Sequence, residues 1–349
     1  MSIFVRMKEP LFYLSLLGVL VWGACSGGES DVPTLDIAGA LERGEIPLPE
    51  NILRPDKSLT IPLPDSLFVG ASNIAGVKDG KMIVYDAERI LVLDLDAGCP
   101  MYGINRKGNG PEEYLDIGDL SIDWEAEEIL VFDLHRKRVQ VYSLEGTYRR
   151  TIPAPDRSCC GVYVAANTLF WPTSAGEKSI PSAYYTDKEG HLKDSSSTRN
   201  VEIRSTFMSL FNSIGGGDDG SVILRKACSD TLFRMTPGKE EEPALVAHSG
   251  EKGMSAASWE NFQTYRRDAS KCINPDKQLW FRSFFFYNYF YKNKAYFDIW
   301  DIRSKKLLGR KIATGPDDLT GFFWPSYSSD EGLLYALEED ADGLQIFVF

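Results

Sequence analysis

The sequence is poor in the residues that most often build metal sites and nucleophilic active sites. It has three histidines, His135, His191 and His248, which lie far apart along the chain. It contains neither an HExxH nor a CxxC pattern, so the usual zinc signatures are missing. We therefore predict no catalytic residues, no metal and no cofactor from the sequence.

Positive charge is also scarce. The 349 residues include 38 Lys and Arg against 50 Asp and Glu, which gives a formal net charge of −12. An acidic chain repels phosphate groups unless it carries a concentrated basic patch, so we predict no nucleic-acid partner. Hydrophobic residues at 43% and charged residues at 25% are ordinary for a globular protein that buries a large core.

The longest apolar run lies near the N-terminus and is too short to span a membrane, which takes about 20 residues of helix. Residues 11–21 are apolar and follow the basic residues Arg6 and Lys8, which is the pattern of a signal peptide. Residues 22–25, WGAC, resemble a bacterial lipobox, which implies cleavage before Cys25 and acylation of its thiol. A plain secretory signal with an incidental cysteine is the alternative.

The composition divides the chain into three regions. We predict a lipoprotein signal peptide over residues 1–24, a flexible tether over 25–57 and a folded domain over 58–349. The tether is rich in small, polar and proline residues, which bury little surface. The predicted location is the cell envelope, with the N-terminal lipid in a membrane (the outer membrane) and the domain facing the periplasm or the cell surface.

The folded region contains an internal repeat. Residues 82–86 and 129–133 are each an apolar strand that ends in aspartate, followed by a polar turn and a second strand. These two copies begin 47 residues apart. The sequence GPEEYL at 110–115 returns as GPDDL at 315–319, which is 205 residues later. Repeats of about 40–50 residues with four strands each indicate a β-propeller.

The length of the folded region favours six blades over five or seven. We predict an all-β fold, a six-bladed β-propeller of four-stranded antiparallel blades. The last blade lacks a fourth strand, and residues 59–62 could supply it and close the ring.

One segment breaks the strand pattern. Within residues 253–268, Trp259, Phe262 and Tyr265 recur at near-helical spacing, and Ser255 is available as a cap. We predict a short helical insert there. It either packs on one rim of the ring or forms a lid over the central opening.

Residues 107–114, KGNGPEEY, link the chain to a known family. They resemble the Gly-x-Gly-Pro-Gly-Glu-Tyr/Phe signature of six-bladed β-propeller lipoproteins of Bacteroides-type bacteria, with Glu112 in place of the second glycine. Those proteins are similar in architecture to TolB-like and NHL-repeat propellers. The resemblance implies an envelope location and binding of a ligand or protein, and it implies no established reaction.

Ligands of propellers usually bind where two kinds of loop meet on one face. These are the B–C loops, between the second and third strands of a blade, and the D–A loops, which join successive blades. In two of these loops, Arg89 and Arg136 occupy equivalent positions. Together they could bind a carboxylate or sulfate. Alternatively, each could pair with the aspartate of its own turn. The predicted ligand-binding residues in these loops are Arg89, Arg106, Tyr114, His135, Arg136, Trp171, Tyr287, Tyr289 and Trp324.

Two further patterns allow both a structural and a binding interpretation. In the aromatic run 284–291, Tyr287 and Tyr289 could stack on a sugar or peptide from the B–C loop, or form strand core. The acidic pairs at 112–113 and 317–318 could bind Ca²⁺ or form solvated turns.

The glycine-rich residues 215–220 lack the lysine of a phosphate-binding loop, so we predict a tight turn between strands. Six cysteines leave five after acylation of Cys25, and an odd number excludes a complete disulfide framework. We therefore predict buried thiols.

Three functions remain. The one that we prefer is a non-catalytic envelope lipoprotein whose propeller face binds a peptide, a glycan or a partner protein. The alternative is a propeller hydrolase, lactonase or glycan lyase at the mouth of the central channel, with His135, Tyr289 and Arg136 as candidate groups. A structural subunit that recruits an outer-membrane complex is the third.

Overall fold

The computed structural model describes residues 32–63, 73–205, 207–217, 221–340 and 343–349, without the side chain of Asp340. The predicted signal peptide 1–24 and Cys25 lie outside these residues, as does part of the predicted turn at 215–220. In the described part of the chain, no helix is long and apolar enough to cross a membrane.

The first described elements precede the ring. They are strand β1 (Thr34–Asp36), helix α1 (Ile37–Ala40), helix α2 (Glu50–Leu53) and strand β2 (Lys57–Ile61).

The first three blades follow in chain order. Blade 1 comprises β3 (Asn73–Lys78), β4 (Lys81–Tyr85), β5 (Ile90–Asp94) and β6 (Cys99–Ile104). Blade 2 comprises β7 (Ile117–Asp123), β8 (Glu128–Asp133), β9 (Arg138–Ser143) and β10 (Tyr148–Pro153). Blade 3 comprises β11 (Tyr163–Ala165), β12 (Thr168–Pro172), β13 (Ala183–Thr186) and β14 (Leu192–Ser195).

The other three blades complete the ring. Blade 4 comprises β15 (Ser213–Gly216), β16 (Val222–Arg225), β17 (Thr231–Met235) and β18 (Glu242–His248). Blade 5 comprises β19 (Asn274–Phe281), β20 (Phe284–Tyr291), β21 (Lys294–Asp301) and β22 (Lys306–Ala313). Blade 6 comprises β23 (Tyr327–Ser328), β24 (Leu334–Asp340), β25 (Gly343–Val348) and the early strand β2.

Six antiparallel sheets arranged in this way confirm the predicted six-bladed β-propeller. The first strand of each blade is the inner one, because β3 packs beside β7, β7 beside β11, and β19 beside β23. Apolar residues from facing sheets fill the space between neighbouring blades. The rings of Phe132 in blade 2 and Trp171 in blade 3, for example, meet edge to face at 6.3 Å.

The ring closes through the N-terminal strand, as the sequence predicted. Strand β2 pairs antiparallel with β25, and Leu59 lies opposite Ile346 in this register. Ile61 is completely buried in the core of this blade. The pairing removes a free sheet edge on a hydrophobic blade, where another chain could otherwise add a strand.

The prediction of a flexible tether over residues 25–57 is wrong for its described part. Strand β1 pairs in parallel with β18, the outer strand of blade 4, with Leu35 opposite Ala247. Leu35 and Ile37 are completely buried, and α1 follows directly. We call residues 32–56 the N-terminal belt. Its average composition is polar, but a few well-spaced apolar side chains bury enough surface to order it.

The repeated aspartates that revealed the blades are turn residues. A carboxylate oxygen of Asp86 accepts a hydrogen bond from the backbone N–H of Arg89 at 2.7 Å, and Asp133 accepts one from Arg136 at 3.1 Å. Aspartate favours this geometry because its short side chain mimics a backbone carbonyl. The equivalent positions of the two arginines therefore follow from the turn.

The insert forms where it was predicted, but its helix begins later. Helix α3 (Phe262–Ala269) is capped by Asn261, whose side chain accepts from the backbone N–H of Thr264 at 3.0 Å. The predicted cap, Ser255, instead precedes a 3-10 turn at Ala256–Trp259 and makes no capping hydrogen bond. Near-helical spacing of the aromatic residues thus spans two short helical pieces.

The described cysteines are all free thiols, and the prediction of buried thiols is wrong for Cys99, which is exposed. Cys159 and Cys160 are buried, and burial raises the pKa of the Cys159 thiol to about 12. A half-buried carboxyl group lies nearby on the inner strand β7. Burial raises the pKa of Asp119 to about 6, although the backbone N–H of Val162 donates to it at 2.9 Å.

Candidate functional site

The B–C and D–A loops lie at the same end of the blades, because the strands that they follow run in the same direction. We call this end of the ring the B–C face. Three of the predicted site residues do lie in B–C loops and three in D–A loops. They are Arg89, His135 and Arg136 in the former, and Arg106, Tyr114 and Trp324 in the latter.

The structure corrects the placement of the other three predicted residues, which lie in strands. Trp171 belongs to β12, while Tyr287 and Tyr289 belong to β20. Strand β20 runs without a break to Tyr291, so the B–C turn of this blade consists only of residues 292–293. All three side chains are buried. The rings of Tyr287 and Tyr289 lie 5.0 Å apart within the core, so this aromatic run packs between blades.

The signature loop at residues 107–114 is held by side chains of blade 2. Arg136 donates to the carbonyls of Gly110 and Glu113, at 3.4 and 3.0 Å. Three more side chains donate to carbonyls of the same loop, namely Arg138, Gln140 and Tyr142. Arg136 is thus occupied in positioning this connection between blades 1 and 2.

The residues of the loop that match the family signature have structural roles. Tyr114 is completely buried, and its hydroxyl accepts a hydrogen bond from the backbone N–H of Arg106 at 3.2 Å. A carboxylate oxygen of Glu113 accepts from the N–H of Gly110 at 2.7 Å. The same oxygen lies 2.1 Å from the place of a Cβ on Gly108, which explains a glycine there. The loop that carries the family resemblance is therefore a rigid connection between blades 1 and 2.

The remaining charged residues near this loop pair with one another at the surface. Nε2 of His135 lies 3.0 Å from a carboxylate oxygen of Asp116, and Lys107 bonds the other oxygen at 2.9 Å. The hydrogen bond from Lys107 is the main cause that lowers the pKa of Asp116. Arg89 is half-buried and also makes an interaction of its own. Lys107 and Asp116 thus form an exposed ion pair, and His135 contacts the same carboxylate.

The second acidic turn and Trp324 also serve the local structure. A carboxylate oxygen of Asp318 accepts from the N–H and the hydroxyl of Thr314, both at 2.7 Å. Trp324 is half-buried against Phe286 at 5.5 Å and Phe297 at 5.3 Å. Across the described residues, no group of three or more His, Cys, Asp and Glu side chains is placed to hold a metal ion.

A pocket of about 170 Å³ lies on the B–C face at the junction of blades 4 and 5. The helical insert covers one side of it, which favours the rim interpretation of the insert. We call this site the insert pocket. None of the nine predicted site residues is among the residues that line it. Its walls come from residues 210–211, 225–230, 273–276 and 278, together with Ser249, Met254 and Trp259.

Two basic residues lie in the wall. The guanidinium group of Arg225 donates to the hydroxyl of Ser213 at 3.1 Å and to the backbone carbonyl of Asp276 at 3.3 Å, so its hydrogen bonds go to neutral oxygens. The ammonium group of Lys226 lies 5.5 Å from the ring centroid of Phe233. Burial lowers the pKa of both basic side chains.

Two acidic residues face these cations. The carboxylate of Asp230 accepts hydrogen bonds from the backbone N–H of Ser249 at 2.8 Å and from its hydroxyl at 2.7 Å. The carboxylate of Asp276 accepts one from the side-chain amide of Asn288 at 3.0 Å. The pocket therefore combines two positive and two negative side chains, each already in contact with neutral groups.

Two polar atoms in the wall lack a partner among the described residues. They are the indole N–H of Trp259 and the amide oxygen Oε1 of Gln278, both buried. An unsatisfied buried polar atom costs about 1–3 kcal/mol, so native proteins rarely keep one without a reason. The unpaired atom of Trp259 is a donor, and the unpaired atom of Gln278 is an acceptor.

Aromatic side chains lie in the pocket wall and beside it, and we call them the aromatic rim. Phe211 and Trp259 line the pocket, and Trp259 contacts Tyr265 at 5.1 Å. The ring of Phe207 lies 5.8 Å from Phe262 and 5.4 Å from Tyr265. Phe262 is 54% exposed and Phe211 is 48% exposed. Clustered apolar groups at a surface often mark a binding site. The rim consists of Phe207, Phe211, Trp259, Phe262 and Tyr265.

Comparisons with known proteins agree with this fold. The family model described as Domain of unknown function (DUF4934) matches residues 62–347. A Bacteroides fragilis protein predicted to be exported is 16% identical with a TM-score of 0.65, over 84% of this chain and 94% of that protein. A member of the DUF4221 family from Bacteroides vulgatus is 12% identical with a TM-score of 0.59, over 84% and 97%.

A third solved structure is a catalytically inactive virginiamycin B lyase from Staphylococcus aureus with quinupristin. It is 11% identical with a TM-score of 0.50, over 84% of this chain and 99% of the lyase. At such identities the likeness shows the fold alone. Among curated proteins, none is similar enough to this chain to count as a relative.

Proposed function

The chain belongs to the DUF4934 family, a domain of unknown function, and we propose that it is a lipid-anchored, non-catalytic envelope protein that binds a ligand in the insert pocket. The observation that carries the proposal is the pocket itself. It is concave, lies on the face where propellers usually bind ligands, and combines apolar walls with a few buried polar atoms. Such a combination is typical of small-molecule sites.

The pocket supports a small ligand, or the end of a longer one, over a partner protein. A stable protein interface buries about 800 Å² on each partner. A cavity of about 170 Å³ with an aromatic mouth instead holds a single chemical group. Of the three ligand classes that the sequence left open, a glycan and a peptide therefore fit better than a folded protein.

A propeller hydrolase, lactonase or lyase is the alternative, and the candidate groups do not support it. Tyr289 is buried in β20, Arg136 holds the carbonyls of the signature loop, and His135 pairs with Asp116 at the surface. General acid–base partners must come within hydrogen-bond reach of one substrate. The similarity to the lyase concerns the fold and does not extend to its activity.

Filling the insert pocket should abolish binding. In a thermal-shift screen of the purified protein against oligosaccharides and peptides, we expect a ligand that raises the melting temperature. Ala227→Phe, which projects a ring into the pocket, should remove that shift because no space is left for the ligand. Ala97→Phe, at an exposed turn of blade 1, is the matched control and should keep it.

Two results would contradict this function. One is that no member of the library stabilises the protein. The other is that mass spectrometry finds the ligand converted to a product, which would establish the enzyme alternative.

The anchor is tested separately. Labelled palmitate should enter the wild-type chain and not the Cys25→Ser variant, because the lipobox places the acylated thiol at that residue. Label retained by the variant would refute the proposed anchor without bearing on the pocket.

A further inference from the structure

We infer that the insert pocket binds one uncharged pyranose ring, the terminal sugar of a neutral glycan. The inference rests on the proposed binding function and specifies its ligand. Four independent properties of the pocket support it, namely its size, its balance of charge, its two unpaired polar atoms and the aromatic rim.

The size of the pocket matches one six-membered ring. An apolar cavity of about 150 Å³ is known to hold a benzene molecule. The insert pocket, at about 170 Å³, accepts a ring of that size with hydroxyl groups attached. A second ring of an oligosaccharide would lie outside, at the aromatic rim.

The charges in the wall favour a neutral ligand. Arg225 and Lys226 would attract a carboxylate or a phosphate, but Asp230 and Asp276 line the same pocket and would repel it. A cationic ligand meets the reverse problem. The formal net charge of −12 on the whole chain adds a further cost for an anion. A hydroxyl-rich, uncharged molecule can use all four side chains without a net electrostatic penalty.

The two unpaired atoms require a group that both accepts and donates. The indole N–H of Trp259 needs an acceptor, and Oε1 of Gln278 needs a donor. Hydroxyl groups serve both needs, whereas a carboxylate only accepts and an ammonium group only donates. A phenol ring would offer a single hydroxyl, while a pyranose presents one on almost every carbon. The sugar therefore satisfies more of the wall.

A peptide would find two backbone N–H groups of the pocket wall already occupied. Extended peptides are recognised largely through free N–H and C=O groups of the receptor backbone. In the turn that lines the pocket, the N–H of Ala227 already donates to the side chain of Asn212 at 3.0 Å. The N–H of Ser229 donates to the carbonyl of Lys226 at 3.2 Å. This turn therefore favours recognition through side chains, as suits a sugar.

The aromatic rim extends the site beyond the first ring. Phe211, which lines the pocket, and Phe262, which is connected to Trp259 through Phe207 and Tyr265, are both about half exposed. The C–H face of a pyranose is apolar, so it packs on such rings while its hydroxyl groups stay in water. The rim thus favours a glycan of two or more sugars over a free monosaccharide.

The test uses the purified full-length protein and an array of neutral, uronic-acid and sialylated glycans, with a peptide array as comparison. We expect neutral glycans to bind, and their uronic-acid counterparts to bind at least about tenfold more weakly. Titration calorimetry with the best neutral oligosaccharide then gives the affinities of the variants.

The variants probe the two unpaired atoms. Trp259→Phe keeps a ring and removes the N–H, and Gln278→Leu removes the acceptor; each should weaken binding about tenfold or more, because one hydrogen bond is lost. Trp280→Phe is the matched control, since the N–H of Trp280 donates to the carbonyl of Arg282, and it should stay within about twofold. Thermal melts confirm that each variant is folded.

The outcomes separate this inference from the proposed function. Preference for an acidic glycan or a peptide, with binding still sensitive to Trp259→Phe, overturns the neutral sugar and leaves the binding function standing. Neutral-glycan binding that neither variant weakens overturns the assignment to this pocket. Absence of binding to every probe overturns both.

Discussion

Arg310→Met is expected to lower the free energy of unfolding by about 3–5 kcal/mol, because it leaves a buried carboxylate without its cation. The side chains of Arg310 and Asp298 are both completely buried and form a bidentate pair between β22 and β21. Tyr289 adds a hydrogen bond, as its hydroxyl donates to Asp298 at 3.1 Å. No other part of the described fold holds an ion pair whose two side chains are both fully buried.

The same guanidinium group binds the N-terminal belt. It donates to the carbonyls of Ala40, at the end of α1, and of Arg43, the latter at 3.1 Å. The carbonyl of Ala40 also accepts from the backbone N–H of Arg43 at 3.1 Å, in the turn that follows α1. The variant should therefore loosen the belt as well as destabilise blade 5, and hydrogen exchange at residues 34–40 should become faster.

Urea denaturation of the purified protein measures the effect. Arg303→Met, at an exposed turn of the same blade, is the control and should change stability by no more than about 0.5 kcal/mol. The double variant Arg310→Met with Asp298→Leu should recover part of the loss, because it removes the unpaired charge. A loss below about 1 kcal/mol for Arg310→Met would show that the pair contributes little.

The fold was predictable because a blade is a local pattern. An apolar strand, a turn aspartate and a second strand lie within about 15 residues of one another, so Asp86 and Asp133 reveal two blades directly. Closure by residues 59–62 followed from the general need to cover a sheet edge. These inferences require only short-range sequence and the geometry common to propellers.

The N-terminal belt was missed because it depends on long-range contacts. The buried residues Leu35, Ile37 and Ala40 of this segment share a core cluster with a strand more than 200 positions later in the sequence. Composition averaged over 25–57 indicates a tether, since prolines and polar residues dominate. Only the three-dimensional structure shows that these side chains pack against β18, the outer strand of blade 4.

The candidate site shows the same limit. The signature loop carries the family resemblance, yet its side chains have structural roles. Glu113 accepts a hydrogen bond from Gly110 within the loop, and the hydroxyl of Tyr114 donates to the carbonyl of Glu88 in blade 1. The insert pocket is assembled from a turn at 225–230, the insert and the start of blade 5, which are separate elements spread over residues 225–278. The one local signal was the aromatic spacing of the insert. Trp259 carried that signal and does line the pocket.

Glu241 is expected to be the second most sensitive residue, because its carboxylate joins blade 4 to blade 3. It accepts hydrogen bonds from the hydroxyl of Tyr185 at 2.7 Å, from the N–H of Ser197 at 3.0 Å and from that of Thr198 at 3.1 Å. The hydroxyl of Ser197 also donates to it. Glu241→Ala leaves these donors unpaired, and we expect a loss of about 2–4 kcal/mol.

The effect should depend on pH in a defined direction. Burial alone would raise the pKa of Glu241, but the hydrogen bonds from Ser197 and Tyr185 outweigh it and the pKa is lowered. The folded state therefore binds this proton less tightly than the unfolded chain. The carboxylate stabilises the fold above the unfolded pKa of about 4.5, and this contribution is lost as the pH falls through the lowered value.

Urea denaturation of the wild type and of Glu241→Ala, at pH 7.5 and at low pH, measures how the stabilisation by this carboxylate depends on pH. The difference in unfolding free energy should be largest at pH 7.5 and shrink below about pH 4.5. Glu240→Ala, at the exposed neighbouring residue, should leave stability within about 0.5 kcal/mol of wild type.

Because residues 196–212 begin at the bonded turn and end beside the insert pocket, Glu241→Ala should also weaken ligand binding, whereas Glu240→Ala should not. Equal losses for the two variants would mean that the carboxylate of Glu241 does not hold this segment.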